Sequence, residues 1–324
     1  MKIRLRFLCI FTSLLFLTAS HFSVQAATNY EPGKTFGEND SLISVSGITT
    51  TPSGQLLVAS GNEIFIYNTQ TSTLSGKIKT TLTGISAIAS EGDQVYALST
   101  QTKNEEMTYQ GRIINRKVPT GVLCKKYSMT GSELGQLSLQ GLKDATNAKI
   151  HNHILYVSDY AQRTIFTFNL SSGMNVRSIS NNVRLCCGIF DFCLNPKTNK
   201  VLIANLGAFQ VMQEGASSGW GKRGTADSDF QGCCNPVSVA YLSDGNIVTA
   251  EKDHSRVKVY DASGKYLSTF PNLTSLVRGC HRVCMAVDSN DAVYLGVNGA
   301  RRYVVQYVPQ KTTATSFQKV INVR

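Results

Sequence analysis

The residues of this chain best suited to chemistry are its cysteines. Nine occur in 324 residues, and eight lie beyond the N-terminal leader: Cys124, Cys186, Cys187, Cys193, Cys233, Cys234, Cys280 and Cys284. Thiolates are soft ligands that select copper(I), zinc or iron–sulfur clusters, and His281 or His254 can add imidazole. The familiar local spacings are missing, since there is no paired C-x-x-C, no C-x-x-C-H for haem and no ferredoxin run. Gly279-Cys280-His281-Arg282-Val283-Cys284 comes nearest to a motif. Disulfides are the other chemistry open to these thiols. An even number of cysteines in an exported chain pairs readily, and each bridge restrains the unfolded chain by about 2–4 kcal/mol. The candidates are Cys186, Cys187, Cys193, Cys233, Cys234, Cys280 and Cys284. Bonds between the Cys186-Cys187 and Cys233-Cys234 pairs are easier than bonds within them, because adjacent Cα atoms stand about 3.8 Å apart and unstrained disulfides prefer about 4.4–6.8 Å. A strained vicinal bridge would suit a redox or binding device better than a staple.

Whether these thiols converge depends on the elements that carry them. From Gly219 to Phe270 the chain reads as a short apolar run, a Ser243-Asp244-Gly245 turn, a second run, a charged loop, an alternating strand, another turn and a last strand. That is a four-stranded antiparallel unit. The same pattern recurs over Ile43–Ile78, Ile85–Leu142, Ala145–Ser178, Leu185–Met212 and Gly279–Val323. The second unit carries an insertion, Gln101–Pro119, between its second and third strands, and the last is expected to end on a strand within Ser316–Val323. Thr28–Asp40 is polar and turn-rich and reads as a lead-in. Repeats of about 40–50 residues built from short strands indicate radial blades, because one blade cannot bury both its faces alone. The fold expected is all-β, a six-bladed propeller of four-stranded antiparallel blades.

The stretch WGKRG…DFQGCCNPVSVAYLSDGNIVTAEKDHSRVKVYDASGKYLSTF resembles the NHL repeat. The likeness lies in its W-G…G…F…P opening, its V-A-x-x-x-x-G-x-I-V core, its Arg-Val-x-Val-Tyr strand and its closing Gly-x-x-x-x-x-Phe. It departs from the repeat at Cys233-Cys234, which stand between Phe230 and Asn235-Pro236. The resemblance extends over nearly all of the chain after the leader, most sharply in the fifth and third units, and implies an NHL-like propeller. Some similar propellers, the lactonase-like and amidating-lyase-like families, hold calcium or zinc at the channel mouth with Glu, Asn, Asp or His. By that likeness Glu251, Asn235, Asp253 and His254 are candidate ligands of a metal-dependent lyase or lactonase. No nucleophile elbow, catalytic carboxylate pair or phosphate loop accompanies them.

Aligned on their first turns, the units place Cys186-Cys187, Cys233-Cys234 and Cys280 at one position, just before the innermost strand of blades four, five and six. In an up-and-down propeller that link emerges on the same face as the link between second and third strands. The Glu251-Lys252-Asp253-His254 loop should therefore stand near Cys233-Cys234, with His281 beside Cys280 and the Gln101–Pro119 insertion leaving from the same face. Cys284 should stay close to that rim. Cys193, six residues farther on at about 3.3 Å per residue, should lie most of the way through the channel. Cys124 falls on an outer strand, and His151 and His153 on the opposite face. Glu251-Lys252 can equally be a surface ion pair of little energetic weight. Arg256, Arg301 and Arg302 read as solvated blade-edge charge, and Trp220 as a residue packed between blades.

Composition sets the remaining bounds. Met1–Ala26 has a basic start, an apolar centre and a Val24-Gln25-Ala26 ending, the pattern of a removed secretory signal, which leaves one propeller domain over 27–324 in a secreted or periplasmic protein. Its apolar run is shorter than the roughly 20 residues of a membrane span, and no later stretch reaches that length. The hydrophobic fraction of 42% is ordinary for a globular chain. The net charge of +11 is scattered among acids rather than gathered into a basic run with interleaved aromatics, which argues against nucleic acid. Two main readings follow: a binding or redox accessory protein with a metal at its cysteine rim, and a disulfide-stapled scaffold whose loop face binds protein, carbohydrate or a small ligand.

Overall fold

The computed structural model describes residues 29–310 apart from 181, 253–254, 274–275 and 277–280. Among these, strand β1 (Tyr30–Phe36) precedes six blades laid down in chain order. Blade one is β2 (Gly47–Thr50), β3 (Gln55–Ser60), β4 (Glu63–Asn68) and β5 (Leu74–Lys79). Blade two is β6 (Ala87–Glu91), β7 (Gln94–Tyr109), β8 (Arg112–Ser128) and β9 (Glu133–Leu137), and blade three is β10 (Ala145–His151), β11 (Ile154–Asp159), β12 (Thr164–Asn169) and β13 (Asn175–Ser180). Blade four has β14 (Phe192–Leu194), β15 (Val201–Asn205) and β16 (Gln210–Gln213). Blade five is β17 (Ser238–Tyr241), β18 (Ile247–Ala250), β19 (Val257–Tyr260) and β20 (Tyr266–Thr269), and blade six contains β21 (Met285–Val287), β22 (Val293–Asn298) and β23 (Arg302–Pro309). Each sheet is antiparallel, and the innermost strands touch in a closed ring, β2 to β6 to β10 to β14 to β17 to β21 and back to β2.

The sequence explains why the blades pack in this way. Their second strands have buried, mainly apolar centres, as in Leu56-Leu-Val-Ala59 and Ile247-Val-Thr-Ala250, so both sheet faces need cover. Cover comes from the neighbouring blades. Leu57, Ile64 and Ile66 of blade one meet Ile88, Val95 and Tyr127 of blade two, and five equivalent cores fill the other interfaces. Each fully buried aliphatic side chain contributes about 1.5–3 kcal/mol, so stability is spread around the ring rather than held in one centre. Gly245 closes the expected turn of blade five at φ 92, where its N–H donates to Leu242 O at 3.0 Å. A side chain there would be strained.

Two expectations are corrected by the topology, and a third falls outside the described residues. Thr28–Asp40 is not only a lead-in, because β1 pairs with β23 from Tyr30↔Pro309 to Phe36↔Val304 and forms the outermost strand of blade six. The expected strand in Ser316–Val323 lies outside the described residues. Blade four has three strands, its fourth reduced to one bridge in which Val211 and Trp220 exchange N–H···O bonds of 2.9 and 3.0 Å. Trp220 therefore closes blade four rather than opening blade five. The Gln101–Pro119 insertion is a continuation of β7 and β8 as a paired hairpin, exposed from Thr102 to Lys117. No helix among the described residues is long and apolar enough to cross a membrane.

Candidate functional site

The links into β14 and β17 are built alike. Each carries adjacent cysteines whose second member has a left-handed backbone, φ 60 at Cys187 and φ 58 at Cys234. Residues other than glycine seldom adopt that region, and holding one there costs on the order of 1–3 kcal/mol when the surroundings impose it. In the first link Ile189 N–H donates to Cys186 O at 3.1 Å. In the second, buried Asn235 ties the loop down: its amide donates to Gln231 O at 2.5 Å and its Oδ1 accepts the Lys252 N–H at 3.0 Å. Asn235 thus joins the link into β17 to the β18–β19 link, the proximity that the strand order requires.

This geometry gathers thiols from two blades. The Sγ atoms of Cys186, Cys187 and Cys234 all lie within 4.8 Å of one another. Within each pair the sulfurs stand 3.3 Å apart, so exposed Cys233 adjoins the group through Cys234. Lys252 is fully buried, with Nζ 3.6 Å from Cys187 Sγ. Burial pushes the Cys186 thiol well above the ordinary range, and hydrogen bonds with Cys234 and Cys187 push it further. Burial also raises Cys234. Two thiolates on one tetrahedral zinc with bonds of about 2.3 Å would stand about 3.8 Å apart, so sulfurs spaced from 3.3 to 4.8 Å reach a single ion with small movements.

Other candidates separate from this cluster. Cys284 is buried between blades six and one, its thiol 3.3 Å from Val45 O and 3.3 Å from Arg282 Nη2, so the expectation that it stays at the thiol rim is corrected. Its side chain faces the interblade core instead of the channel mouth. His281 is exposed in a cavity with Arg282, Arg302 and Asn298 and is not grouped with the thiols. Cys193 packs in the core between blades four and five and borders a cavity with Lys149, His151 and Tyr241. Cys124 is buried between blades two and three. His153 bonds Glu91 and Ser171, both at 2.8 Å. Cys280, His254 and Asp253 lie outside the described residues.

Glu251 and Lys252 are not a surface ion pair. Glu251 is fully buried, accepts Gln231 N–H at 2.9 Å, and pairs with Arg256 Nη2 and Lys258 Nζ, each at 2.8 Å. Arg256 is thus an interior partner rather than blade-edge charge. Desolvation lowers the Lys258 ammonium while Glu251 opposes the shift. Sequence reasoning also passed over Asp191, which is buried and accepts from Asn147 Nδ2 at 2.7 Å, Ser238 Oγ at 2.6 Å and Val239 N–H at 3.0 Å. It ties together the inner strands of blades three, four and five. Burial raises its carboxyl, against the pull of the Arg282 and Lys149 charges. An acid between Phe190 and Phe192, at the entry to an inner strand, was the available signal.

A closed ring of six antiparallel sheets defines a β-propeller. Residues 234–260, which run from the second cysteine of blade five to the end of β19, match the family model of the NHL repeat. The fold is thus a six-bladed propeller that carries an NHL repeat in blade five, next to the thiol cluster. No curated protein matches it at a significant level.

Proposed function

We propose that this chain is an exported propeller that binds one soft metal ion at its cysteine rim and serves as a metal-handling or redox accessory protein. The observation that carries the reading is the meeting of Cys186, Cys187 and Cys234 from two blades within 4.8 Å. Three thiolates suit copper(I), and recruitment of Cys233 would complete the four-thiolate set that zinc prefers. An iron–sulfur cluster fits less well, because it interposes several atoms between its cysteines and so needs more widely spaced sulfurs. The adjacent Lys252 ammonium would offset part of the charge of the thiolate set. Binding of protein or a small ligand on the loop face accords with the propeller scaffold, and the Met1–Ala26 leader supports a secreted or periplasmic location.

The contact between Cys186 and Cys234 favours a second reading, an interblade disulfide that staples a scaffold for protein or carbohydrate. Titration of the fully reduced chain with copper(I) and with zinc against a chromophoric chelator separates the two. One equivalent bound, with affinity reduced at least about tenfold in Cys234→Ser, supports the metal site. Failure of the reduced chain to compete for either ion overturns it.

A further inference from the structure

The approach to the innermost strand of blade six carries cationic groups. His281 and Arg282 line a cavity of about 340 Å³ between blades six and one. Arg302, at the start of β23, and Ser44 and Ser46, just before β2, complete its polar lining. Among the described residues no acidic side chain lines it. We propose that this cavity binds a small organic molecule through an oxyanion group, a phosphate or a carboxylate.

The site is held in shape by its own contacts. Asn298 clamps the adjoining segment, with Oδ1 accepting Val45 N–H at 2.8 Å and Nδ2 donating to Val45 O at 2.9 Å. Arg282 Nη2 is engaged by Ser46 O and by Cys284 Sγ, which fixes the guanidinium, while its buried Nη1 has no hydrogen-bond partner among the described residues. The acid whose charge Arg282 feels, Asp191, spends its oxygens on Asn147, Ser238 and Val239. A second guanidinium, that of Arg302, donates from Nη1 to Ala300 O at 3.3 Å and has further N–H groups that a ligand can accept from. Two guanidinium groups in one acid-free cavity repel each other until an anion enters, and their planar forks match oxyanions. The volume falls within the range of small-molecule sites, about 300–1,000 Å³, and exceeds what a bare oxyanion fills. The site lies two blade interfaces away from the thiols and does not depend on whether they hold metal.

Isothermal titration calorimetry of the full mature chain at constant ionic strength tests the proposal, with inorganic phosphate in one arm and citrate in the other. Saturable binding is expected in at least one arm. Phosphate alone would identify a phosphoryl group as the feature recognised, and citrate alone a carboxylate. Arg302→Gln, an exposed position, should weaken that binding about tenfold or more, as loss of one charge-assisted hydrogen bond predicts, while Lys77→Gln on the outer strand of blade one leaves it unchanged. Arg302→Lys, which keeps the charge but removes the fork, provides the same comparison if the glutamine variant does not fold. Absence of saturable binding in both arms, or equal affinity in the Arg302 variants and the wild type, would overturn the site.

Discussion

At the residue scale, thiol chemistry is set by what surrounds each sulfur. Cys187 and Cys233 are exposed, whereas Cys124 and Cys193 are buried and held as thiols by desolvation. Alkylation of the reduced, metal-free chain, followed by peptide mass spectrometry, should label Cys187 and Cys233 first and Cys124 last. Early labelling of Cys124 would contradict the packing of blades two and three. Burial also raises the Cys124 thiol from 9.0 to about 12. The folded chain keeps a proton that the unfolded chain releases, so this contribution to stability is whole below about pH 9 and is lost as pH rises through about 12. Urea unfolding at neutral and alkaline pH should therefore show a smaller alkaline loss in Cys124→Val than in the wild type. Equal losses would sink that assignment. The gathering of Cys186, Cys187 and Cys234 was legible from their shared position before an inner strand. The departure of Cys284 was not, because whether a side chain at a strand start faces channel or core depends on the blade's register and tilt.

At the scale of the element, blade five joins a legible pattern to an illegible interior. The run of strands and its Ser243-Asp244-Gly245 turn follow from local sequence, whereas the ion-paired centre does not, since Glu251, Arg256 and Lys258 look like loop and edge charges when read along the chain. Only the folded sheet brings Lys258 Nζ within 2.8 Å of Glu251 in a buried setting. Removing Glu251 leaves Arg256 and Lys258 with the Asp229 carbonyl but without their carboxylate, so Glu251→Ala should cost about 3–5 kcal/mol in denaturant unfolding. A change below about 1 kcal/mol would show the pairing to be dispensable. Trp220 likewise gains its role from a partner far along the chain. It packs against Tyr260 with ring centroids 4.8 Å apart, and a Cβ at Gly264, where φ is 87, would come within 2.4 Å of its ring. Gly264→Ala should lower the unfolding midpoint and change the fluorescence of this single tryptophan; an unaltered midpoint would contradict the contact.

For the whole molecule, the ring is closed by β1, which completes blade six from the other end of the chain. The blade count was readable because each repeat punctuates itself with turns. The closure was not, because Tyr30-Glu-Pro-Gly-Lys-Thr-Phe36 is mostly polar and exposed, as an outer strand can be, and its partner lies near the opposite terminus. Tyr30 and Phe36 at its two ends are buried, and their loss removes at least about 3 kcal/mol of burial while baring the edge of β23. A chain begun at Gly37 should melt at a lower temperature and aggregate more readily than one begun at Ala27, which retains β1. Equal melting would mean that the ring closes without it.

The closed ring also sets blades four and five side by side, and the proposal that their thiols share one ion rests on that contact. Metal and labile-sulfide analysis of anaerobically purified mature protein, with free thiols counted on the same sample, tests it most directly. One copper or zinc per chain is expected, with no labile sulfide and with loss of the metal in Cys186→Ser and Cys234→Ser. Absence of metal together with almost no free thiol would contradict it and make the cysteines staples of the ring.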